Sequence, residues 1–113
     1  MNTSAIDRVS LLDRVGGDEE LLREITSIFL AEYPELLRCI EDGLSAGDAQ
    51  RVERAAHSLK GSIANFGAES ATQAAYRMET IGRKGSLREA PAAYAELITQ
   101  FQQLQPVLEQ LSQ

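Results

Sequence analysis

The sequence is poor in the two residue types that most often build metal sites and disulfide frameworks. Its 113 residues include one cysteine, Cys39, and one histidine, His57. A lone cysteine cannot form an intrachain disulfide, which fits a reducing compartment, and the simplest interpretation of Cys39 is a small buried side chain. A metal site needs several such ligands brought together, so we expect no bound metal.

Aromatic residues and long apolar runs are also scarce. Tryptophan is absent and aromatic residues make up 5% of the chain, so leucine, isoleucine and alanine must form the core, a composition that favours helices. No segment approaches the ~20 apolar residues that cross a bilayer. The N-terminus lacks the basic start and apolar core of a secretion signal. We therefore expect a cytoplasmic protein that does not bind a membrane.

Charge and length exclude further classes. The formal net charge of −6 argues against a nucleic-acid-binding surface. Apolar residues at 43% and charged residues at 25% are ordinary globular values, so disorder is not indicated. A chain of 113 residues is long enough for one core, and we assign residues 1–113 to a single domain.

Motifs of autonomous catalysis are missing as well. The glycines do not form the phosphate-binding pattern G-x-x-x-x-G-K-[ST], and there is no G-x-S-x-G nucleophile elbow. A serine hydrolase also needs a histidine that is oriented by a buried acid. We therefore expect neither kinase nor hydrolase activity of the chain's own.

Apolar residues recur with helical spacing through most of the chain, and no strand pattern appears. Asp48 has the position of an N-cap, and Ser70 and Gln73 have the spacing of a capping box. These patterns predict an all-α fold: an antiparallel up-and-down four-helix bundle, monomeric, with a short additional N-terminal helix. The predicted helices span residues 5–14, 18–46 with a kink near Pro34, 48–66, 69–84 and 88–111.

The helix predicted for residues 48–66 carries His57 on its polar side. By helical geometry His57 lies roughly 140° from the centre of the apolar stripe. Lys60, one turn further on, can reach a phosphoryl group added to the histidine. Gly61 lies in mid-helix, where glycine costs about 1 kcal/mol relative to alanine, so another molecule is expected to approach it closely. The stripe consists of Val52, Ala56, Leu59, Ile63 and Phe66.

The segment around this histidine, AHSLKGSIANFGA at residues 56–68, resembles the signature of histidine-containing phosphotransfer (HPt) domains, whose core is H-x-L-K-G. The resemblance extends through METIGRKG at 78–85 and LLDRVGGDEELLRE at 11–24, so it covers nearly the whole chain. It implies a four-helix bundle that acts as a phosphorelay intermediate. The expected partners are response-regulator receiver domains and a hybrid histidine kinase.

The resemblance also implies a role for each residue of the H-x-L-K-G core. His57 accepts a phosphoryl group from a receiver aspartate and donates it to another. Lys60 steadies the phosphoryl oxygens, and Gly61 lets the receiver approach. The receiver is expected to supply Mg²⁺, and no cofactor is expected on this chain.

Two residues beyond this core have two interpretations each. Glu79 aligns with a glutamine that holds the imidazole in some relatives, but it also fits a solvated acid on an amphipathic helix. Arg83 fits either partner contact or a basic residue that complements the helix dipole.

A basic rim around the histidine is expected from Arg54, Lys60, Arg77 and Arg83, which would favour encounter with an acidic receiver. The predicted docking surface consists of Arg54, Ser58, Ala64, Ala68 and Arg83.

Two alternatives to the relay remain. The chain resembles the domain that a chemotaxis-type kinase phosphorylates with ATP, which would make it a fragment of such a kinase, because it has no ATP-binding region. It also fits a helical scaffold or adaptor in which His57 is incidental. Retention of His57, Lys60 and Gly61 together favours the relay.

Overall fold

The computed structural model describes residues 6–113, and in that part of the chain it contains five helices and no strand. The predicted start of the first helix, at Ala5, lies outside the described residues. The prediction of an all-α fold is confirmed. The helices are α1 (Arg8–Arg14), α2 (Glu19–Ala46), α3 (Ala49–Ala64), α4 (Glu69–Lys84) and α5 (Ala90–Leu111).

The four long helices form an antiparallel bundle, because short loops join consecutive helices and each packs against the next. α2 packs on α3, α3 on α4, α4 on α5, and α5 returns to α2. α3 and α5 therefore lie diagonally across the bundle. The short α1 packs on α2. Among the described residues, no helix combines the length and hydropathy needed to cross a membrane.

Aspartates begin the first three helices. The side chains of Asp7, Asp18 and Asp48 each accept a hydrogen bond from a backbone N–H in the first turn. Such N-caps satisfy donors that the helix leaves without a partner. The chain then leaves α2 through Gly47, whose φ of 67° lies in the left-handed region that glycine adopts without strain.

The predicted capping box at the start of α4 is wrong. The helix begins at Glu69 and its N-cap is Ala68, whose side chain has no hydrogen-bonding group. Ser70 is already the second helical residue, too late to act as an N-cap. The buried Ala68 shows that packing, rather than a polar side chain, determines where this helix begins.

Two prolines lie within helices. α2 runs from Glu19 to Ala46 and includes Pro34, and α5 includes Pro106. Proline removes one backbone hydrogen bond from a helix interior. The apolar faces continue past both prolines, so burial of the residues before and after each proline keeps the helix continuous.

The apolar stripe of α3 faces the core. Leu59 and Ile63 are fully buried, as are the other members of the stripe. Three phenylalanines and a tyrosine form a cluster beside them, with ring centroids 4.9–6.2 Å apart: Phe29, Tyr33, Phe66 and Phe101. Because the stripe occupies one side of α3, His57 on the opposite side faces solvent.

Gly82 allows the backbone of α4 to lie close to the backbone of α3. A Cβ atom at this position would lie 2.6 Å from the backbone nitrogen of Glu53 and 2.8 Å from the carbonyl oxygen of Ala49. Helix backbone cannot move aside as a flexible side chain can. Glu79 lies one turn before Gly82, so this close approach brings the Glu79 side chain to α3.

Replacing Gly82 by alanine is expected to destabilise the protein, because the added methyl group would overlap the backbone of α3. Overpacking of this kind costs about 1–3 kcal/mol. Gly61→Ala is the matched control, since a Cβ there meets nothing within 4 Å. Removing an exposed mid-helix glycine should raise the free energy of unfolding by up to about 1 kcal/mol. Urea denaturation measures the change in the free energy of unfolding for both variants. Equal changes in the two variants would contradict the close packing of α4 on α3.

Candidate functional site

His57 projects from α3 into solvent, with 67% of its side chain exposed, and its ring is held at one nitrogen. Nδ1 lies 2.8 Å from Oε2 of Glu79 on α4. An ionised carboxylate only accepts hydrogen bonds, so Nδ1 carries the proton and donates it. The other ring nitrogen, Nε2, is then unprotonated in the neutral imidazole and is the nucleophilic atom.

Glu79 is a buried carboxylate, with 3% of its side chain exposed. Lys60 Nζ lies 2.7 Å from its Oε1, and Arg83 Nη2 lies 2.9 Å from its Oε2. Burial acts to raise the pKa of Glu79, but hydrogen bonds from Lys60 and His57 and their charges outweigh it, so the pKa lies below its ordinary value. The interpretation of Glu79 as a solvated acid is therefore wrong.

Lys60 is held between two groups. Its ammonium contacts Glu79 and lies 5.0 Å from the centroid of the Tyr76 ring, a cation–π distance. The side chain is largely buried, so its position beside the histidine is defined by packing as well as by charge.

Arg83 forms two ion pairs at once. Its Nη2 contacts Glu79, and its Nε lies 3.1 Å from Oε2 of Glu53 on α3. The hydrogen bond that Arg83 donates to Glu53 is the main reason that the pKa of Arg83 is raised above its ordinary value. The guanidinium thus links the last turn of α4 to α3, and its charge is partly used within the protein.

A shallow groove of about 510 Å³ opens beside the histidine between α2 and α3. Ser62 Oγ donates a hydrogen bond to Oε1 of Glu32 across it. Gly61 lies on the exposed side of α3, where the absent side chain leaves open space. The groove is lined by Glu32, Leu36, His57, Ser58, Gly61, Ser62 and Asn65.

The predicted docking residues separate into two groups. Arg54, Ser58 and Ala64 are exposed on α3, as expected. Ala68 is completely buried beneath the start of α4, so its assignment to a docking surface is wrong.

Arg77 does not belong to the rim around the histidine. It lies about 160° from Glu79 around α4 by helical geometry, and it lines a groove between α4 and α5. The expected ring of four basic residues is therefore incomplete: Lys60 and Arg83 contact Glu79, and Arg77 faces another side of the bundle.

Sequence reasoning missed three residues at the site: Glu53, Glu32 and Tyr76. Glu53 precedes His57 by four residues, a spacing that places both on one face of α3. That spacing was the available signal. The link from Glu53 to Arg83 crosses from α3 to α4, so periodicity within one helix could not reveal it.

An exposed apolar strip on α2 was also missed. The strip consists of Leu21 and Ile25, which are partly exposed, and Ile28, which is 65% exposed. Ile28 precedes Glu32 by one helical turn, so the strip leads into the groove beside His57. Within residues 6–113, no three histidine, cysteine or acidic side chains cluster in a way that could hold a metal ion.

The lowered pKa of Glu79 predicts a pH-dependent stability. Because the folded-state pKa lies below the ordinary value of 4.5, the ionised carboxylate stabilises the fold at neutral pH. This contribution is lost as the pH falls through the folded pKa. The Glu79→Gln variant should therefore lose less stability than the wild type between about pH 7 and about pH 3. Urea denaturation across this range measures the free energy of unfolding. Glu69→Gln, which removes an exposed carboxyl from the same helix, is the control and should show the same pH dependence as the wild type. Parallel curves for wild type and Glu79→Gln would contradict the assignment.

Two comparisons place this arrangement among known proteins. The Hpt domain family matches residues 24–112. The crystal structure of histidine-containing phosphotransfer protein B (HptB) from Pseudomonas aeruginosa PAO1 superposes with a TM-score of 0.85. That protein is 28% identical, and the match covers 93% of this chain and 91% of that one. No curated protein sequence gives a significant match. With the family match extending over most of its length, the chain belongs to the Hpt domain family of phosphorelay phosphotransfer proteins.

Proposed function

We propose that His57 is the residue that carries the phosphoryl group, and that it exchanges this group with the aspartates of response-regulator receiver domains. The observation that supports this most directly is the hydrogen bond from Nδ1 to the buried carboxylate of Glu79. It leaves Nε2 unprotonated on an exposed side of α3. Lys60 and Gly61 lie within one turn of the histidine.

The transfer needs no proton movement at the histidine. Nε2 attacks the phosphorus of an aspartyl phosphate in line, the P–O bond to the aspartate breaks, and its electron pair leaves with the carboxylate. The phosphorylated ring becomes an imidazolium that retains the proton on Nδ1, stabilised by Glu79. In the return reaction the P–N bond breaks and its electron pair goes back to Nε2. Glu79 therefore supports both directions by holding one tautomer.

Charge stabilisation is divided between this chain and the receiver. We expect Mg²⁺ on the receiver, where it would neutralise the transferring group. On this chain, Lys60 lies three residues after the histidine on α3, contacts the Glu79 that holds the ring, and would contact the phosphoryl oxygens.

The receiver would dock on the face that α2 and α3 share. The groove beside His57 gives access to the ring, and the exposed Ile28 extends the contact along α2. An apolar residue next to a polar site is typical of a protein interface, because burial supplies affinity and polar groups supply orientation. Arg54 adds a positive charge on α3 that would favour an acidic partner. A hybrid histidine kinase would supply one such receiver.

A scaffold without phosphotransfer explains less of the site. Burying a carboxylate is costly unless it is paired, and here three side chains are arranged around Glu79. A protein that only binds partners gains nothing from orienting an exposed imidazole. The relay gives each of these contacts a chemical role.

Phosphate transfer to His57 is directly measurable. The protein is mixed with a phosphorylated receiver and Mg²⁺, and we expect label that is labile in acid, stable in base and mapped to His57 by mass spectrometry. The His57→Gln variant should keep its fold, because the side chain is exposed, and should take up no label. Absence of label with several different receivers, in a protein that still binds them, would favour the scaffold.

Docking on α2 can be tested with a single exposed residue. Ile28→Glu should weaken receiver binding about tenfold or more, because a buried isoleucine contributes about 1.5–3 kcal/mol and a charge in its place must be desolvated. Ala95→Glu is the matched control: it adds the same charge at an exposed position on α5, diagonal to α3. Titration calorimetry measures both affinities. Equal affinities for the two variants would remove α2 from the docking surface.

A further inference from the structure

The ammonium of Lys60 is required at two places. In this structure its ammonium lies 2.7 Å from Oε1 of Glu79. The proposed phosphotransfer requires the same ammonium at the phosphoryl group on His57. Glu79 binds the ring at Nδ1, whereas the phosphoryl group is added at Nε2, on a different side of the ring. Contact with the phosphoryl oxygens would therefore draw Lys60 away from Glu79 when His57 is phosphorylated.

Departure of Lys60 would remove the cation at Oε1 of Glu79, while the imidazolium of the phosphorylated ring keeps its contact at Oε2. The carboxylate is 3% exposed, and an uncompensated charge at such a site is strongly unfavourable. A cation that stays in place before and after phosphorylation keeps the carboxylate ionised in both states. Arg83 supplies one: its Nη2 contacts Oε2, the oxygen that Lys60 does not contact.

Arg83 is itself held in place from α3. Its Nε donates to Oε2 of Glu53 at 3.1 Å while Nη2 donates to Glu79. The rigid guanidinium fork allows both bonds at once, which an ammonium cannot reproduce with the same geometry. Glu53 precedes His57 by four residues on α3, so the element that carries the nucleophile also fixes the cation.

We propose that Arg83, held by Glu53, is the fixed counter-ion of Glu79, and that this arrangement releases Lys60 to bind the phosphoryl group on His57. This inference rests on the proposed function. Arg83 and Glu53 are then positioning residues that act through Glu79 and Lys60. Lys60 is the mobile cation of the site. Arg83, which the sequence assigned to partner docking, has an internal role in this proposal.

Non-additivity between Arg83 and Lys60 follows from this arrangement. Without Arg83, Lys60 has to stay with Glu79, so the phosphoryl group loses its cation just as it does in a Lys60→Met variant. Lys60→Met and Arg83→Met should each accept phosphoryl groups about tenfold more slowly, because in both the phosphoryl oxygens lose one charge-assisted hydrogen bond. The double variant should be no slower than Lys60→Met alone.

The experiment uses the full chain and potassium phosphoramidate as a small-molecule donor, so that no receiver is needed. Nε2 of His57 attacks the phosphorus, the P–N bond of the donor breaks, and ammonia leaves with the electron pair. The rate of phosphohistidine formation is followed by ³¹P NMR for the wild type, both single variants and the double variant. Thermal unfolding confirms that each variant is folded.

Two further variants separate positioning from a general loss of structure or charge. Arg83→Lys keeps a cation near Glu79 but cannot hold the same two contacts, so it should recover only part of the rate. Arg77→Met removes an exposed cation from the same helix, on the side facing α5, and should leave the rate unchanged. If Arg83→Met does not fold, Glu53→Gln frees the guanidinium without touching the buried carboxylate and should slow the reaction in the same direction.

The outcomes distinguish the inference from the function beneath it. Rates that multiply, so that the double variant is about a hundredfold slower, would show that Arg83 acts independently of Lys60 and would overturn the inference. An Arg83→Met rate equal to the wild type would also overturn it. Both results leave phosphotransfer through His57 intact. Failure of the wild type to form phosphohistidine with this donor and with receivers would overturn the proposed function and the inference together.

Discussion

The buried carboxylate of Glu79 is the constraint on which the site depends. A carboxylate that is 3% exposed has to be compensated by neighbouring charges and hydrogen bonds, and here they come from Lys60 and His57 on α3 and from Arg83 on α4. Lys60 and His57 can reach it only if the two helices lie very close together. Gly82 makes this possible, because any side chain there would overlap the α3 backbone. The close packing of α4 on α3 therefore allows Glu79 to stay ionised although it is buried.

The two faces of α3 carry separate tasks. One side supplies fully buried residues to the core, among them Leu59 and Ile63, and these hold the helix in a fixed rotation. His57 is displayed on the opposite side as a consequence of that rotation. Rigid support matters for phosphoryl transfer, since the reaction is governed by positioning and electrostatics more than by covalent chemistry on the protein. The bundle thus holds Nε2 of His57 in a fixed position.

Gly61 and Gly82 both lie within helices, but for different reasons. Gly82 is buried between helices and cannot accept a methyl group. Gly61 has open space around its Cα, and nothing within the fold requires glycine there. A glycine there agrees with the proposed approach of a partner to the histidine. Glycine at position 82 serves the fold, and glycine at position 61 serves the proposed function.

The sequence by itself determined the helical class, the apolar stripe of α3 and the outward position of His57, because all three follow from periodicity within single helices. The spacing of Lys60 and Gly61 from the histidine is of the same local kind. What only the tertiary structure decided were contacts between helices. Burial of Glu79 and Ala68 and the pairing of Arg83 with Glu53 depend on how closely and at what rotation α4 packs on α3. Those two quantities are set by side-chain packing across the bundle, which no pattern along one helix contains.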